Sequence, residues 1–433
     1  MKDKQGIRTK ALHSGWRSDP VTGAFGLPIY LSTGFEFRDT EHAANLFSLK
    51  ESGYIYSRLG NPTVNAFEEG LNDLEGGVGC VACSSGQGAF MQLLGALCCA
   101  GDHLIIAQAV YGGTLTLIKN VMGRFGIEST FVDINHPCQV EGAIRDNTRG
   151  IICETIGNPG MNIAPLEALG KIAARNDIPL IVDNTFAPIL CRPFEWGAHV
   201  VVYSTTKYIS GMGNLIGGAV IDSGNMDWNA SDKWGGLTQP DPGYHGITFT
   251  EHFGRGALCA KVKASIMRDM GASPSAFDAY LLHLSLATLP LRMEQHSKNA
   301  QIMAEYLKGH PQVEWVSYAG LPDHPQYDLA RHYLPEGCGG MLAFNIRGGV
   351  AAGAVFLDNL KLIGHVANLG DARSLMLHPA STTHSQLTPE ERAAAGIGEG
   401  MIRFSVGIEN AEDIIADLDA AFAAVRNKYP LKK

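Results

Sequence analysis

The sequence lacks long apolar runs, clustered positive charge and a secretory signal. No stretch approaches the roughly 18 apolar residues that a membrane-spanning helix requires, and residues 1–14 are polar and basic. The formal net charge is −9, with lysine and arginine scattered along the chain, whereas nucleic-acid-binding proteins concentrate them in a basic patch. We therefore expect a cytoplasmic protein that binds neither a membrane nor nucleic acid.

The nine cysteines are not arranged for metal binding. Cys80 and Cys83 form a C-x-x-C pair, but no second cysteine pair or histidine pair stands at zinc-binding spacing. We expect reduced thiols, no metal site, and a buried strand that contains Cys80 and Cys83. A redox role for this pair is the alternative.

A chain of 433 residues is long enough for more than one domain. Its composition, 45% hydrophobic and 18% charged, is typical of compact globular proteins. Between residues 63 and 221, short apolar runs alternate with helical patterns, which predicts a mostly parallel sheet with helices on both faces. The predicted strands are 101–107, 128–134, 150–154, 179–183 and 199–203.

The flanking segments differ from this α/β region. Residues 1–61 are rich in Gly, Ser and Pro and predict an extended arm, and residues 225–246 predict an ordered surface insertion. The C-terminal part predicts a smaller α+β domain, with helices at 256–270, 277–307 and 410–428 and strands at 313–318 and 341–346. The predicted division is an arm at 1–62, an α/β domain at 63–255 and a second domain at 256–433.

Lys207 follows a predicted strand and a turn that contains Ser204 and Thr206. The two hydroxyls can bind phosphate, and a lysine amine can form a Schiff base with an aldehyde cofactor. An ordinary surface lysine would fit the same residues.

Asp183 ends the apolar strand predicted at 179–183, so it should lie at the carboxyl edge of the sheet, where α/β proteins bind ligands. A carboxylate there can keep a pyridine nitrogen protonated, which makes the ring an electron sink. A cap of the next helix is the alternative interpretation.

A phosphate cradle is predicted at residues 84–88, where Ser, Gly and Gln precede an apolar helix expected at 89–99. Free N–H groups at a helix start attract anions, although an ordinary helix cap would have the same sequence. The glycines at 211–218 follow the lysine turn and lack the dinucleotide-binding spacing. This argues against a nicotinamide-dependent oxidoreductase.

The order of cradle, Asp183 and Lys207 is that of fold-type I pyridoxal-phosphate (PLP) enzymes. From about residue 11 to residue 422 the chain resembles the Cys/Met-metabolism PLP family, most closely its O-acetylhomoserine sulfhydrylase branch. The matching segments are Tyr56-Ser57-Arg58-Leu59-Gly60-Asn61-Pro62-Thr63, Ser85-Gly86-Gln87, Tyr111-Gly112-Gly113-Thr114, Glu154-Thr155-Ile156-Gly157-Asn158-Pro159, Asp183-Asn184-Thr185, Ser204-Thr205-Thr206-Lys207-Tyr208, His378-Pro379-Ala380-Ser381-Thr382-Thr383-His384 and Arg403-Phe404-Ser405-Val406-Gly407-Ile408-Glu409.

The resemblance implies a fold-type I PLP-dependent transferase and a role for each matching position. Lys207 would carry PLP as a Schiff base and then shuttle protons, while Asp183 would pair with the pyridine nitrogen. Tyr111 would stack on the ring, and Asn158 would reach the ring hydroxyl.

The resemblance also implies that two subunits share each phosphate site. The residues from the same chain would be Gly86, Gln87, Ser204 and Thr206. Tyr56 and Arg58 would reach across from a neighbouring subunit. We therefore expect a homo-oligomer in which the N-terminal arm contacts the neighbour, with a tetramer favoured and a dimer as the alternative.

Arg403 would bind the substrate α-carboxylate, for which a planar guanidinium is well suited; a surface ion pair is the alternative. Asn368 is expected beside the substrate. His378 and His384 are expected to be structural histidines.

The shared residues fit elimination as well as replacement. Gly113 stands where lyases similar to methionine γ-lyase have Cys, and Asn368 stands where they have Ser, so both favour the sulfhydrylase branch. Met212 and Asn214 replace the family's usual His and Thr, so the preferred substrate or sulfur donor could differ.

The expected reaction is γ-replacement on O-acetyl-L-homoserine, with Tyr56 or Tyr111 as general acid for the departing acetate. Sulfide, a small thiol or the thiocarboxylate of a sulfur-carrier protein would give homocysteine or methionine. A methionine γ-lyase, a reaction like that of cystathionine γ-synthase, and a regulatory homologue without activity are the alternatives.

Overall fold

A computed structural model describes residues 5–158, 160–382 and 398–430, and this part of the chain contains two β-sheets. The strands of the first sheet are Gly79–Cys83 (β1), His103–Ala107 (β2), Glu128–Val132 (β3), Thr148–Glu154 (β4), Leu180–Asp183 (β5), Val200–Tyr203 (β6) and Gly218–Asp222 (β7). Their order is β1-β7-β6-β5-β4-β2-β3. Six of these strands run in the same direction, and β7 runs in the opposite direction between β1 and β6.

The central strands are mostly apolar because both faces of the sheet are covered. Each residue of β2 is buried, as is each residue of β6. The mostly parallel α/β sheet is therefore confirmed, with each of the five predicted strands present. Cys80 and Cys83 lie in β1 as free thiols, but only Cys83 is buried as expected, whereas Cys80 is half-buried.

The second sheet has the order β10-β11-β12-β9-β8. Its strands are Val313–Ser317 (β8), Met341–Ile346 (β9), Gly364–His365 (β10), Leu375–Leu377 (β11) and Met401–Ser405 (β12). The sequence predicted only β8 and β9.

The described α-helices differ widely in length. They are Ile7–His13 (α1), Thr40–Phe47 (α2), Pro62–Glu75 (α3), Gly86–Leu97 (α4), Gly112–Thr116 (α5), Pro137–Gly142 (α6), Leu166–Arg175 (α7), Gly235–Thr238 (α8), Phe249–Phe253 (α9), Ala257–Lys261 (α10), Arg268–Met270 (α11), Ala276–Leu286 (α12), Leu289–Lys308 (α13), Tyr327–Tyr333 (α14), Gly349–Asp358 (α15) and Ala411–Lys428 (α16). None that lies in the described ranges has the length and apolar character needed to cross a membrane.

The single helix predicted at 277–307 was wrong, because α12 ends at Leu286 and α13 begins at Leu289. Pro290 lies in the first turn of α13, where its missing N–H does no harm, but inside one continuous helix it would remove a hydrogen bond. The break separates two helices that contact different parts of the molecule.

The apolar core has two parts that meet along α13. Leu289 and Met293 belong to the core around the first sheet, whereas Ala300 and Met303 belong to the core around the second. The domain boundary at residues 255 and 256 stays a prediction. Helix α13 is thus the element that connects both cores.

The insertion at 225–246 is more buried than predicted. Trp228 and Trp234 are 3% and 2% exposed, and their rings pack edge to face with centroids 5.1 Å apart. A surface position was therefore wrong for these two side chains, which anchor the insertion to the core.

Candidate active site

A cavity of about 310 Å³ opens beyond the carboxyl ends of strands β4, β5 and β6, the expected edge for a ligand site and a volume within the range of small-molecule pockets. It brings together every predicted site residue except Tyr56 and Arg58. Those that line it are Gly86, Gln87, Tyr111, Asn158, Asp183, Ser204, Thr206, Lys207, Asn368 and Arg403.

The predicted phosphate cradle is the N-terminus of α4. Ser85 caps the helix, with its side-chain oxygen accepting a hydrogen bond from the Gly88 N–H at 2.9 Å. Within the described chain the N–H groups of Gly86 and Gln87 have no acceptor. The segment is therefore both a helix cap and a pair of free donors that face an anion-sized space.

The lysine turn, residues 204–210, lies directly against this helix start. A Cβ at Gly86 would lie 2.9 Å from the Ser204 Cβ. The Ser204 N–H donates to Thr185 Oγ1 at 2.9 Å, and the Thr206 hydroxyl bonds the backbone of Gly217. These contacts place the Ser204 and Thr206 side chains beside the free donors of α4.

Lys207 is partly buried, so a surface lysine is the wrong interpretation. Its Nζ donates to Asn368 Oδ1 at 2.6 Å. Burial, and secondarily the positive charge of Arg403, lowers the pKa of Lys207 to about 8. A larger fraction of this amine is therefore neutral, and nucleophilic, than of an ordinary lysine.

Asp183 lies at the end of β5 inside the cavity. Its Oδ1 accepts hydrogen bonds from the Thr185 N–H at 3.0 Å and from the Thr185 hydroxyl at 2.5 Å. Burial raises the pKa of Asp183 to about 6, and the Thr185 bonds oppose that rise. The following residues form turns, so the helix-cap alternative was wrong.

Glu154 is a site residue for which no role was inferred from the sequence. It ends β4 in register with Asp183. Its Oε1 accepts a hydrogen bond from the Tyr111 N–H at 2.6 Å, and its Oε2 accepts one from the Asn158 N–H at 3.0 Å. Burial, with the adjacent Asp183 charge, raises the pKa of Glu154. Its position at a strand end next to Asp183 was the available signal.

Arg403 lies within β12 and is buried, so the surface ion pair was the wrong alternative. Its guanidinium is 3.5 Å from Asn158 Oδ1 and 3.4 Å from the Asn368 carbonyl oxygen. It has no carboxylate partner among the described residues, and burial lowers its pKa. The cavity thus contains a cation whose charge is available to an anionic ligand.

Tyr56 and Arg58 lie outside this chain's cavity and stack on each other, with the guanidinium carbon 5.4 Å from the ring centroid. Both ring nitrogens of His378 are hydrogen-bonded, to Ser381 Oγ and to the Glu399 carbonyl, as in a structural histidine. His384 lies outside the described residues.

The arrangement can bind a phosphate, an aromatic nitrogen base and a carboxylate in one cavity, next to an amine.

A family model described as Cys/Met metabolism PLP-dependent enzyme matches residues 8–423. Sulfhydrylase FUB7 of Gibberella moniliformis is 43% identical over 421 residues, covering 96% of this chain and 97% of that protein. O-acetyl-L-homoserine sulfhydrylase 1 of Thermus thermophilus is 44% identical over 420 residues, covering 96% and 100%.

The solved structures include a similar protein from Campylobacter jejuni, described as an O-acetylhomoserine (thiol)-lyase. It is 37% identical, with a TM-score of 0.93 over 97% of this chain and 100% of that one. In that structure, one lysine of the Campylobacter jejuni protein carries a pyridoxyl phosphate group.

Proposed function

Because the chain belongs to the Cys/Met-metabolism family of PLP-dependent enzymes, we propose that it catalyses γ-replacement on O-acetyl-L-homoserine. Sulfide would give homocysteine plus acetate, and methanethiol would give methionine. The observation that carries the proposal is the placement of Lys207 and Arg403 in one cavity with the free donors of α4 and with Asp183. The relatives named for O-acetylhomoserine support the same substrate.

The residues of the cavity fit PLP. Gly86 and Gln87 offer uncovered N–H groups for its phosphate, and the Gln87 Oε1 atom is buried without a partner in the described structure. Asp183 offers a carboxylate for the ring nitrogen. When bound, PLP supplies an electron sink for negative charge that develops on the substrate carbons.

Each remaining step is assigned to a residue of this chain. Arg403 binds the α-carboxylate and thereby orients the substrate. The Lys207 amine takes and returns protons at the α-carbon and at the β-carbon, whose deprotonation lets acetate leave the γ-carbon. Tyr111, or Tyr56 of a neighbouring subunit, donates a proton to the departing acetate. Asn368, which accepts a hydrogen bond from Lys207, positions the amine.

Position 113 favours replacement over elimination. A Cβ there would lie 2.3 Å from the Tyr111 ring and 2.8 Å from Gln87 Nε2, so the cysteine of methionine γ-lyase-like enzymes would require both side chains to move. Gly113 instead lets the Tyr111 ring lie against the backbone of α5.

We further propose a cytoplasmic homotetramer with the arm at 1–62 packed on a neighbouring subunit. Apolar side chains of this segment are exposed, with Val21 and Phe25 at 90% and 82%, as expected of residues that a second copy covers. The free thiols of the described cysteines fit a reducing compartment.

The test is a matrix of substrates and nucleophiles read by product mass. Acetyl, succinyl and phosphoryl homoserine are each combined with sulfide, methanethiol, cysteine and a thiocarboxylated sulfur-carrier protein. We expect O-acetylhomoserine with sulfide or methanethiol to give a thiol or thioether and acetate in equal amounts. Ammonia and 2-oxobutanoate without a sulfur-containing product would overturn the proposal in favour of a lyase.

A further inference from the structure

Helix α13 carries three buried polar side chains on one face. Arg292, His296 and Asn299 follow one another at spacings of four and three residues, which place them on a single side of a helix. They are 4%, 0% and 1% exposed. We call these residues the polar stripe, and buried polar groups of this kind need defined partners.

Arg292 donates hydrogen bonds to the lysine turn as well as to Ser285 and Thr288, which precede α13. Its Nη1 donates to the Tyr208 carbonyl at 2.5 Å and its Nη2 to the Ile209 carbonyl at 3.1 Å. A Cβ at position 211 would lie 2.2 Å from Nη1, and φ there is +69°, so Gly211 permits this approach. The guanidinium therefore fixes the backbone immediately after Lys207.

His296 and Asn299 bond the backbone that follows β12. His296 Nδ1 bonds the Val406 carbonyl at 2.7 Å, and Asn299 Nδ2 donates to the Gly407 and Glu409 carbonyls at 3.0 and 2.7 Å. These carbonyls directly follow β12, the strand that contains Arg403.

One rigid helix thus contacts the backbone next to Lys207 and the backbone next to Arg403. We propose that the polar stripe positions these two residues relative to each other, and that it thereby selects ligands whose amine and carboxylate share one carbon. The proposal rests on the proposed function, in which Lys207 meets the amine site and Arg403 binds the carboxylate. Its members are positioning residues because none of them lines the cavity.

The test compares the PLP-loaded Arg292→Met variant with Lys298→Met. Lys298 is an exposed residue of the same helix, so its substitution removes a charge and introduces the same side chain without touching the stripe. The probes are glycine and β-alanine, which differ by one methylene between amine and carboxylate. Binding is measured by titration of the visible absorbance band, which needs no turnover.

Wild type and Lys298→Met should prefer glycine by the same ratio. Arg292→Met should reduce that ratio on the order of tenfold, since misplacement by a fraction of an ångström weakens a two-point contact. Arg292→Lys should restore part of the ratio. Asn299→Ala should reduce it as well, and the double variant should lose less than the two single effects combined, because both act on one separation.

An unchanged ratio in folded Arg292→Met and Asn299→Ala would overturn the proposal. If Arg292→Met fails to fold by circular dichroism, Arg292→Lys and Asn299→Ala decide in the same way. If the wild-type protein makes no γ-replacement product but the variants still change the glycine preference, the proposed function is refuted and the positioning role of the polar stripe stands.

Discussion

Lys207 lies between Asn368 and Arg403 in a partly enclosed cavity, and this environment determines how easily its amine loses a proton. Water is displaced from the ammonium form and a second positive charge is near, so the neutral form is favoured. The pKa of Lys207 is therefore lowered from 10.5 to about 8.

The first prediction concerns this amine in protein freed of PLP. Its reaction with an amine-directed acylating reagent should be half-maximal near pH 8, because only the neutral amine reacts and the proton returns as pH falls through that pKa. Pulse labelling and peptide mass spectrometry would follow Lys207, with the exposed Lys298 as internal reference. A midpoint near 10.5 would contradict the described environment.

Glu154 gives a second prediction at this scale. Glu154→Leu leaves the N–H groups of Tyr111 and Asn158 without acceptors, and each buried unsatisfied donor costs about 1–3 kcal/mol. The free energy of unfolding in denaturant should fall by about 2–6 kcal/mol on that basis. Glu154→Gln, whose amide oxygen can still accept one bond, should lose less.

Glu128→Leu is the control for the two Glu154 variants. It removes an exposed carboxylate from a half-exposed ion pair, so it should change the free energy of unfolding little. Equal stability of the Leu and Gln variants at position 154 would show that the two hydrogen bonds are unimportant.

Single residues also show what sequence can predict about a site. Lys207 and Asp183 could be predicted because each is a charged side chain at the end of a predicted strand or turn, whereas Arg403 was predicted only from the family resemblance. Glu154 offered only its position at a strand end next to Asp183, because its partners are the backbone N–H groups of Tyr111 and Asn158, and Tyr111 comes close only after folding. The function of Tyr56 and Arg58 stays a prediction because a second chain would complete it.

At the scale of elements, the segment at 366–372 packs against the lysine turn backbone to backbone. A Cβ at position 370 would lie 2.6 Å from the Tyr208 nitrogen, and φ there is +72°. The Gly370 N–H also donates to Ser405 Oγ at 2.8 Å. This glycine therefore sets the distance between the Asn368 segment and Lys207.

The third prediction follows for Gly370→Ala. The strained backbone and the close contact should lower the free energy of unfolding by about 1–3 kcal/mol, measured by chemical denaturation. Gly142→Ala is the control, because it lies at the end of α6 with open space around it, and it should change stability by less than about 0.5 kcal/mol. Equal effects at the two positions would refute the close approach.

The elements that sequence missed are short or lack a regular pattern. Strand β10 has two residues and β11 has three, too few for alternation to be visible. Strand β12 is buried on both faces but contains Arg403, so its apolar run is interrupted by the site residue. Strands β2 to β6 of the first sheet, in contrast, were predicted to within two residues at each end.

At the scale of the whole molecule, an active site built from two chains would allow two different inactive variants to restore activity when they assemble together. If Arg58 acts in the neighbour's site, Lys207→Ala and Arg58→Ala chains should each be inactive, yet assemble into mixed oligomers with some complete sites. A one-to-one mixture, unfolded and refolded together, should recover about a quarter of the wild-type sites, as a symmetric pair requires.

The matched control mixes Lys207→Ala with Asp183→Asn, two residues that line the same chain's cavity, so no complete site can form. The measured quantity is activity per subunit in oligomers confirmed as mixed by mass. No recovery in the first mixture would place Arg58 in its own chain's site. Recovery in the control would show that the assay does not report shared sites.

The most direct test of the account is to find which lysine binds the cofactor. The PLP-loaded protein is reduced with borohydride, digested and sequenced by mass spectrometry, with Lys207→Ala treated in parallel. We predict a single pyridoxyl phosphate group, attached to the peptide that contains Lys207, and none in the variant. The same group on any other lysine, or PLP bound without attachment to a lysine, would contradict the assignment.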